Sequence, residues 1–328
     1  MQSLEASKSL QIGSLKVNSI VSVAPMAGIT DCVLRQLIRN FSKDSLLTTE
    51  MLSSEALMMN REQPLLNHEP FEHPLSFQIS GHKPELMAKA AQKIEHMASV
   101  IDINMGCPAP KITSNGDGAS LMKNMPLASK IIESVKNAVK VPVTVKCRLG
   151  WDVPNKNYIE FSKMVEDSGA DAITIHGRTK TQMYSGVADW NAIGEVKSVL
   201  KIPVIGNGDI TSVEKAIECL KISQCDGIAV GRGVLGDPEL IHRIEHYLHT
   251  GEILPEPGIA RRLELLRLHL SKEIEYRGEI HGIRFMRKFF AWYIRDIRGV
   301  SQFRFRLVRA ENLNELNAIF EEIESHVR

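Results

Sequence analysis

Through most of the chain, short continuous apolar runs alternate with longer stretches whose apolar positions recur every three or four residues. The runs Ile20–Ala24, Leu46–Thr49, Leu75–Ile79, Val100–Ile103, Val141–Lys146, Ala172–Ile175, Pro203–Ile205 and Gly227–Val230 read as eight strands. They read as largely apolar runs, as strands covered on both faces should be. Between them the spacing predicts helices. One is capped by Thr30 or Asp31 and runs to about Asn40. Others span Pro84–Met97, Pro126–Val139, Tyr158–Ser168 and Trp190–Leu200, and a last one runs from a Thr211 cap through Leu220. This strand-then-helix rhythm predicts an α/β fold, a closed (β/α)8 TIM barrel, over residues 1–250. A doubly wound sheet is the competitor. The count of eight and the lack of an early Gly-x-Gly-x-x-Gly disfavour it.

The pattern then breaks. Residues 251–258, in the stretch TGEILPEPG, carry the Gly and Pro of a linker. Beyond it the strand signal is gone. Arg261–Arg277, His281–Ile297 and Glu311–His326 have helical spacing, which predicts a small C-terminal helical bundle over 259–328.

Charge sharpens that division. The formal net charge is only +1, yet Arg284, Arg287, Lys288, Arg295, Arg298, Arg304, Arg306 and Arg309 fall within 281–309 against the single acid Asp296. Phe285, Phe289, Phe290, Trp292, Tyr293, Phe303 and Phe305 are interleaved with them. Many of these aromatics must be helix core. The cations left over, lacking the usual acid at i+4, suit a nucleic-acid backbone.

Five cysteines form no CxxC pair and no cluster with histidines, which argues against zinc and against disulfides and for a reducing cytoplasm. No metal site is expected. The first residues lack a basic-then-apolar signal pattern, and no apolar run is long enough to span a bilayer. Nothing in the sequence implies an obligatory protein partner.

Candidate chemistry collects at one end of the strands, where barrels of this kind carry their sites. Strand four ends in Asn104 and leads through Gly106 to Cys107, Pro108 and Lys111. Gly106 allows close approach, and Pro108 holds Cys107 extended, so the thiol should face whatever the strand ends bind. Strand three carries Gln78; strand five ends in Lys146-Cys147-Arg148 and strand six in His176-Gly177-Arg178. Gly206–Asp209 and Gly231–Gly233 follow strands seven and eight, the usual phosphate corner, where Arg232 adds charge. Lys146, opposite that corner, could offset negative charge on a reduced flavin, and His176 could hydrogen-bond a ring or phosphate. Cys147 should turn away and pack; Cys32, Cys219 and Cys225 read as structural.

These pieces resemble a known family. APMAGITD at 24–31, FQISG at 77–81, DINMGCPAPKI at 102–112, VKCRLGW at 145–151, TIHGRT at 174–179, GNGDI at 206–210 and VGRG at 230–233 are similar to motifs of the tRNA-dihydrouridine synthases, the bacterial B-type subfamily above all. FMRKFFAWY at 285–293 is similar to that family's helical-domain signature. The resemblance implies an FMN barrel with a tRNA-binding helical domain, and reduction of a uridine C5=C6 bond at the expense of NADPH or NADH. It implies that Pro25, Met26, Ala27, Gln78, Lys146, Asn207, Gly208, Asp209, Gly231 and Arg232 contact FMN, with His176 beside them. It implies that Asn104 orients uracil and that Cys107 gives the proton to C5. Lys111, Arg148, Arg178, Arg284, Arg287 and Lys288 are the basic residues expected to meet the RNA substrate. Two other readings stay open. A flavoenzyme acting on free pyrimidines would turn over the base alone, and a non-catalytic RNA-binding protein would be colourless.

Overall fold

The computed structural model describes residues 9–61, 63–297 and 299–327. Arg298, one of the eight cations, lies outside the described residues.

Eight parallel strands form the core of the molecule: β3 (Val21–Val23), β4 (Leu47–Thr48), β6 (Leu75–Ser80), β7 (Val100–Asn104), β8 (Val143–Cys147), β9 (Ala172–His176), β10 (Val204–Asn207) and β11 (Gly227–Val230). Their order is β3-β11-β10-β9-β8-β7-β6-β4. A parallel bridge from Ser22 to Leu46 brings the two ends together and closes the barrel. Nearly every residue of these strands is buried, which is why they read as largely apolar runs. Short β5 (Leu52–Ser53) pairs with the end of β6.

Around the strands lie α1 (Cys32–Phe41), α2 (Ser54–Met58), α3 (Pro84–Ile94), α4 (Pro110–Thr113), α5 (Met125–Ala138), α6 (Tyr158–Asp167), α7 (Trp190–Val199), α8 (Val213–Ser223) and α9 (Leu240–Thr250). The Asp31 side chain caps α1 by accepting from Leu34 N at 3.0 Å. The cap of α8 is Ser212, one residue past the expected Thr211, since the Ser212 hydroxyl accepts from Lys215 N. Helix α9 was not anticipated, although its Leu240, Ile241 and Ile244 are buried at helical spacing.

An N-terminal hairpin, β1 (Leu10–Ile12) and β2 (Leu15–Val17), has no counterpart in the sequence reading. Its Leu10, Ile12 and Val17 cluster with Leu46, Val100, Ala172 and Ile205, which sit at or near the starts of their strands. The hairpin therefore plugs the amino end of the barrel. Among the described residues, the carboxyl end is the one left open.

Residues 251–258 have no regular structure. Four helices follow rather than three: α10 (Ile259–Arg277), α11 (Glu279–Tyr293), α12 (Val300–Leu307) and α13 (Leu313–Val327). Apolar contacts run unbroken from the barrel's helices into Leu263, Leu266, Phe289, Phe290 and Phe320 of this bundle. A polar junction adds to them. Arg277 of α10 reaches Asp31 at 2.5 Å and Glu273 at 2.7 Å, both carboxylates being buried. The bundle is thus seated on the start of α1, beside the carboxyl mouth of the barrel.

Candidate active site

At that mouth lies a cavity of about 540 Å3, within the range of small-molecule and cofactor sites. It brings together Pro25, Met26, Ala27, Gln78, Asn104, Cys107, Lys146, Arg148, His176, Asn207, Gly208, Asp209, Gly231, Arg232 and Lys288. These come from seven strand ends and from α11, so no local segment could form the cavity alone.

Cys107 is half-buried, whereas Cys32, Cys147, Cys219 and Cys225 are buried. Its loop is held from several sides. Met105 N donates to Lys146 O at 2.8 Å, and Ala119 N donates to Cys107 O at 3.1 Å. Asn104 Oδ1 accepts from Cys107 N at 2.9 Å and from Gly106 N at 3.2 Å. Arg148 Nε donates to Gly106 O at 2.7 Å. A Cβ on Gly106 would stand 3.2 Å from the Lys146 carbonyl oxygen, so glycine lets the loop lie directly on β8.

Beneath Asn104 the polar chain continues into the barrel. Asn104 Nδ2 donates to Gln78 Oε1 at 2.7 Å, Gln78 Nε2 to Asp102 Oδ2 at 2.6 Å, and Thr144 Oγ1 to Asp102 Oδ1 at 2.6 Å. Neither Asp102 nor Thr144 was singled out in the sequence. A single acid in an apolar strand gives no local sign of what it meets across the sheet.

The opposite wall is cationic. Burial, with Arg148 nearby, pushes the Lys146 ammonium down to about 8. His176 is held well below the usual imidazole range by burial and by Lys146, Arg148, Arg178 and Arg232. It is therefore neutral. Arg178 Nη1 lies 3.3 Å from its Nε2, and a guanidinium can only donate, so the ring proton sits on Nδ1. Gly208 has φ +122°, and a Cβ there would stand 2.7 Å from Ala188 Cβ. Only glycine fits at that corner.

Three of the expected substrate residues are placed differently. Arg178 is 1% exposed. Its guanidinium is spent on Ser185 O, Gly186 O and both Asp209 oxygens, the last at 2.7 and 2.8 Å. It is not among the cavity-lining residues, and it supports the loop from beneath. Asp209, which lines the cavity, also bonds Arg178, Arg232 and Ala188 N, so it organises the cations at that corner. Lys111, on α4, opens onto a neighbouring cavity beside His82 and Asp117. Arg287 is drawn inward and donates to Ala310 O.

Of the remaining cations, Lys288 lines the central cavity and bonds the Gly28 carbonyl, while Glu50 accepts from Gly28 N. Arg284 and Arg304 are exposed and have no carboxylate partner among the described residues. Arg306 does have one, Glu322 of α13 at 2.5 Å, which counting acids along the segment could not reveal. Tyr184 and Trp292 also line the cavity, 54% and 37% exposed, and were not anticipated as site residues. Tyr184 sits in a loop without periodicity; Trp292 is one of the aromatics interleaved with the cations, many of which are helix core. Arg148 and Arg232 lie 5.8 and 5.2 Å from the Tyr184 ring. No cluster of metal-ligating side chains occurs among the described residues.

A family model described as "Dihydrouridine synthase (Dus)" matches residues 22–327. The chain belongs to the dihydrouridine synthase family. It is 44% identical over 310 residues to a "Probable tRNA-dihydrouridine synthase 1" of Synechocystis sp., covering 94% of this chain and 87% of that one. It is 39% identical over 306 residues to "tRNA-dihydrouridine synthase B" of Pseudomonas putida, covering 92% and 90%. The relatives thus include B-type members of this oxidoreductase family. Among solved structures, an old yellow enzyme homologue from Zymomonas mobilis superposes with TM-score 0.54 at 13% identity, over 78% of this chain and 96% of that one. Morphinone reductase in complex with tetrahydroNAD gives TM-score 0.51 at 12% identity, over 78% and 93%. At such identities the likeness is one of fold, the TIM barrel. No helix among the described residues is long and apolar enough to cross a membrane.

Proposed function

We propose that this protein reduces the C5=C6 bond of uridine in tRNA to dihydrouridine, with FMN held in the central cavity and NADPH or NADH as reductant. The observation that carries the reading is the cavity itself. A half-buried thiol lines it together with Lys146, Arg148 and Arg232, and the one carboxylate among them, Asp209, is spent on Arg178.

That composition fits FMN. The cations and the glycine corner at Gly208 and Gly231 suit a phosphate and an electron-rich ring. Gln78, Asn104 and Asn207 supply amides, and Pro25, Met26 and Ala27 supply apolar surface. When bound there, FMN supplies the hydride that goes to uracil C6.

The remaining work falls to the chain. Asn104 orients the uracil. Cys107 holds a proton on Sγ and gives it to C5, which asks for an ordinary protonated thiol rather than an activated thiolate. Lys146 supplies positive charge beside the ring, and neutral His176 offers an Nδ1–H donor. Uridine must leave the stack to reach Cys107, at a cost of a few kcal/mol. Lys288 and Trp292 put α11 at the cavity mouth, so a helix carrying the unpaired Arg284 adjoins the place where the base enters. That continuity favours RNA over a free pyrimidine. The test is to purify the protein, record its visible absorption, identify the released cofactor, and measure dihydrouridine formed in tRNA lacking it. Colourless protein, or turnover of free uridine with none of tRNA, would refute the reading.

A further inference from the structure

Asp102 lies within β7, 5% exposed, and accepts hydrogen bonds through both carboxylate oxygens. We infer that Asp102 is a positioning residue: by accepting from Gln78 it completes a chain of side-chain bonds, and through Gln78 and Asn104 it holds the Cys107 loop at the cavity. The inference rests on hydrogen-bond polarity.

The chain of bonds is anchored at the loop end by groups that cannot reverse. At one end the backbone N–H groups of Gly106 and Cys107 can only donate, so Asn104 must present Oδ1 to them. Its Nδ2 then faces Gln78, which must answer with Oε1. Gln78 Nε2 is left facing Asp102, which must accept. At the other end Asp102 Oδ2 meets the Gln78 amide nitrogen and Oδ1 meets the Thr144 hydroxyl. Burial pushes the Asp102 carboxyl up from its usual range, and the bonds from Thr144 and Gln78 oppose that shift. Each link has one orientation, and each amide is locked by its neighbour.

A consequence reaches the ligand. Gln78 and Asn104 both line the cavity, and their carbonyl oxygens are already used inside the chain of bonds. Each amide nitrogen has a second proton, for which no acceptor occurs among the described residues. This side of the cavity therefore offers N–H donors. It selects a ligand edge made of carbonyl acceptors, as in a uracil or an isoalloxazine, over one presenting an amino group. The inference deepens the proposed function without needing it, since the bonds belong to the chain alone.

The test reads Cys107 directly. The other four cysteines are buried, so iodoacetamide alkylation of the full-length protein, followed by mass spectrometry, reports on Cys107. Asp102→Leu leaves Gln78 Nε2 buried without an acceptor, which weakens the chain of bonds beneath the Cys107 loop, and should raise the alkylation rate about tenfold. Asp102→Asn can still show Oδ1 to Gln78 while its NH2 turns to the Thr144 hydroxyl, so its rate should stay within about twofold of the unaltered protein. If Asp102→Leu does not fold, Gln78→Met cuts the chain one link later and should raise the rate likewise. An unchanged rate in the Leu variant overturns the inference, as does an equal rise in Leu and Asn variants. With FMN and tRNA supplied, Asp102→Leu should lower kcat with KM for tRNA unchanged. If even the unaltered protein makes no dihydrouridine, the functional reading fails while the alkylation result still decides the role of Asp102.

Discussion

Lys146 Nζ donates to Asn207 Oδ1 at 3.0 Å. The two residues belong to β8 and β10, so the bond reaches past β9, which lies between them. The inward curvature of the barrel brings the two side chains together, and the bond aims a half-buried ammonium at the mouth. Asn207 is fixed in turn, since its Nδ2 donates to Ala229 O at 2.7 Å.

That ammonium should make cofactor binding depend on pH. With its pKa lowered to about 8, Lys146 is a cation below pH 8 and loses its charge as pH rises through 8. An anionic ligand is therefore favoured at the lower pH. FMN affinity of the apoprotein should be about tenfold weaker at pH 9 than at pH 7. Fluorescence titration of FMN measures it. Lys146→Met should bind more weakly at pH 7 and show a flat profile.

The Arg178–Asp209 pair should matter more to stability than to chemistry. Arg178→Met removes a guanidinium that holds Ser185 O, Gly186 O and both Asp209 oxygens. Breaking a buried pair costs about 3 kcal/mol or more, less here because Asp209 is 26% exposed. A loss of about 2 kcal/mol in urea unfolding is expected. A variant that matches the unaltered protein would show that the pair is not a support.

RNA affinity should divide the basic residues. Arg284→Ala with Arg304→Ala should weaken tRNA binding and reduce the slope of log affinity against log salt by about 1 to 2. Arg306→Ala should do less, because that side chain is already paired with Glu322. Binding isotherms at several salt concentrations check both. Equal effects from all three would contradict the pairing argument.

The barrel was readable because most strands are largely apolar runs that end in a polar residue or a glycine. Val100–Asn104 shows this well: burial fixes the run, and Asn104 marks the carboxyl end. What escaped the sequence was whatever depends on a partner far along the chain. Asp102 meets Gln78 and Thr144 only across the sheet, and the partner of Arg178 lies at Asp209, after another strand and helix. The hairpin at Leu10–Val17 is short, and its apolar residues gain meaning only from the barrel end that they cover. Trp292 shares its helix with the buried Phe289, Phe290 and Tyr293, so spacing alone could not set it apart.

The central claim is that Cys107 protonates the reduced pyrimidine, and single-turnover kinetics of Cys107→Ala test it most directly. Reduction of the bound flavin by NADPH should proceed as in the unaltered protein, while its reoxidation by tRNA, with dihydrouridine formed, should slow by about 10²-fold or more. Dihydrouridine formed by the variant at the unaltered rate would contradict the account.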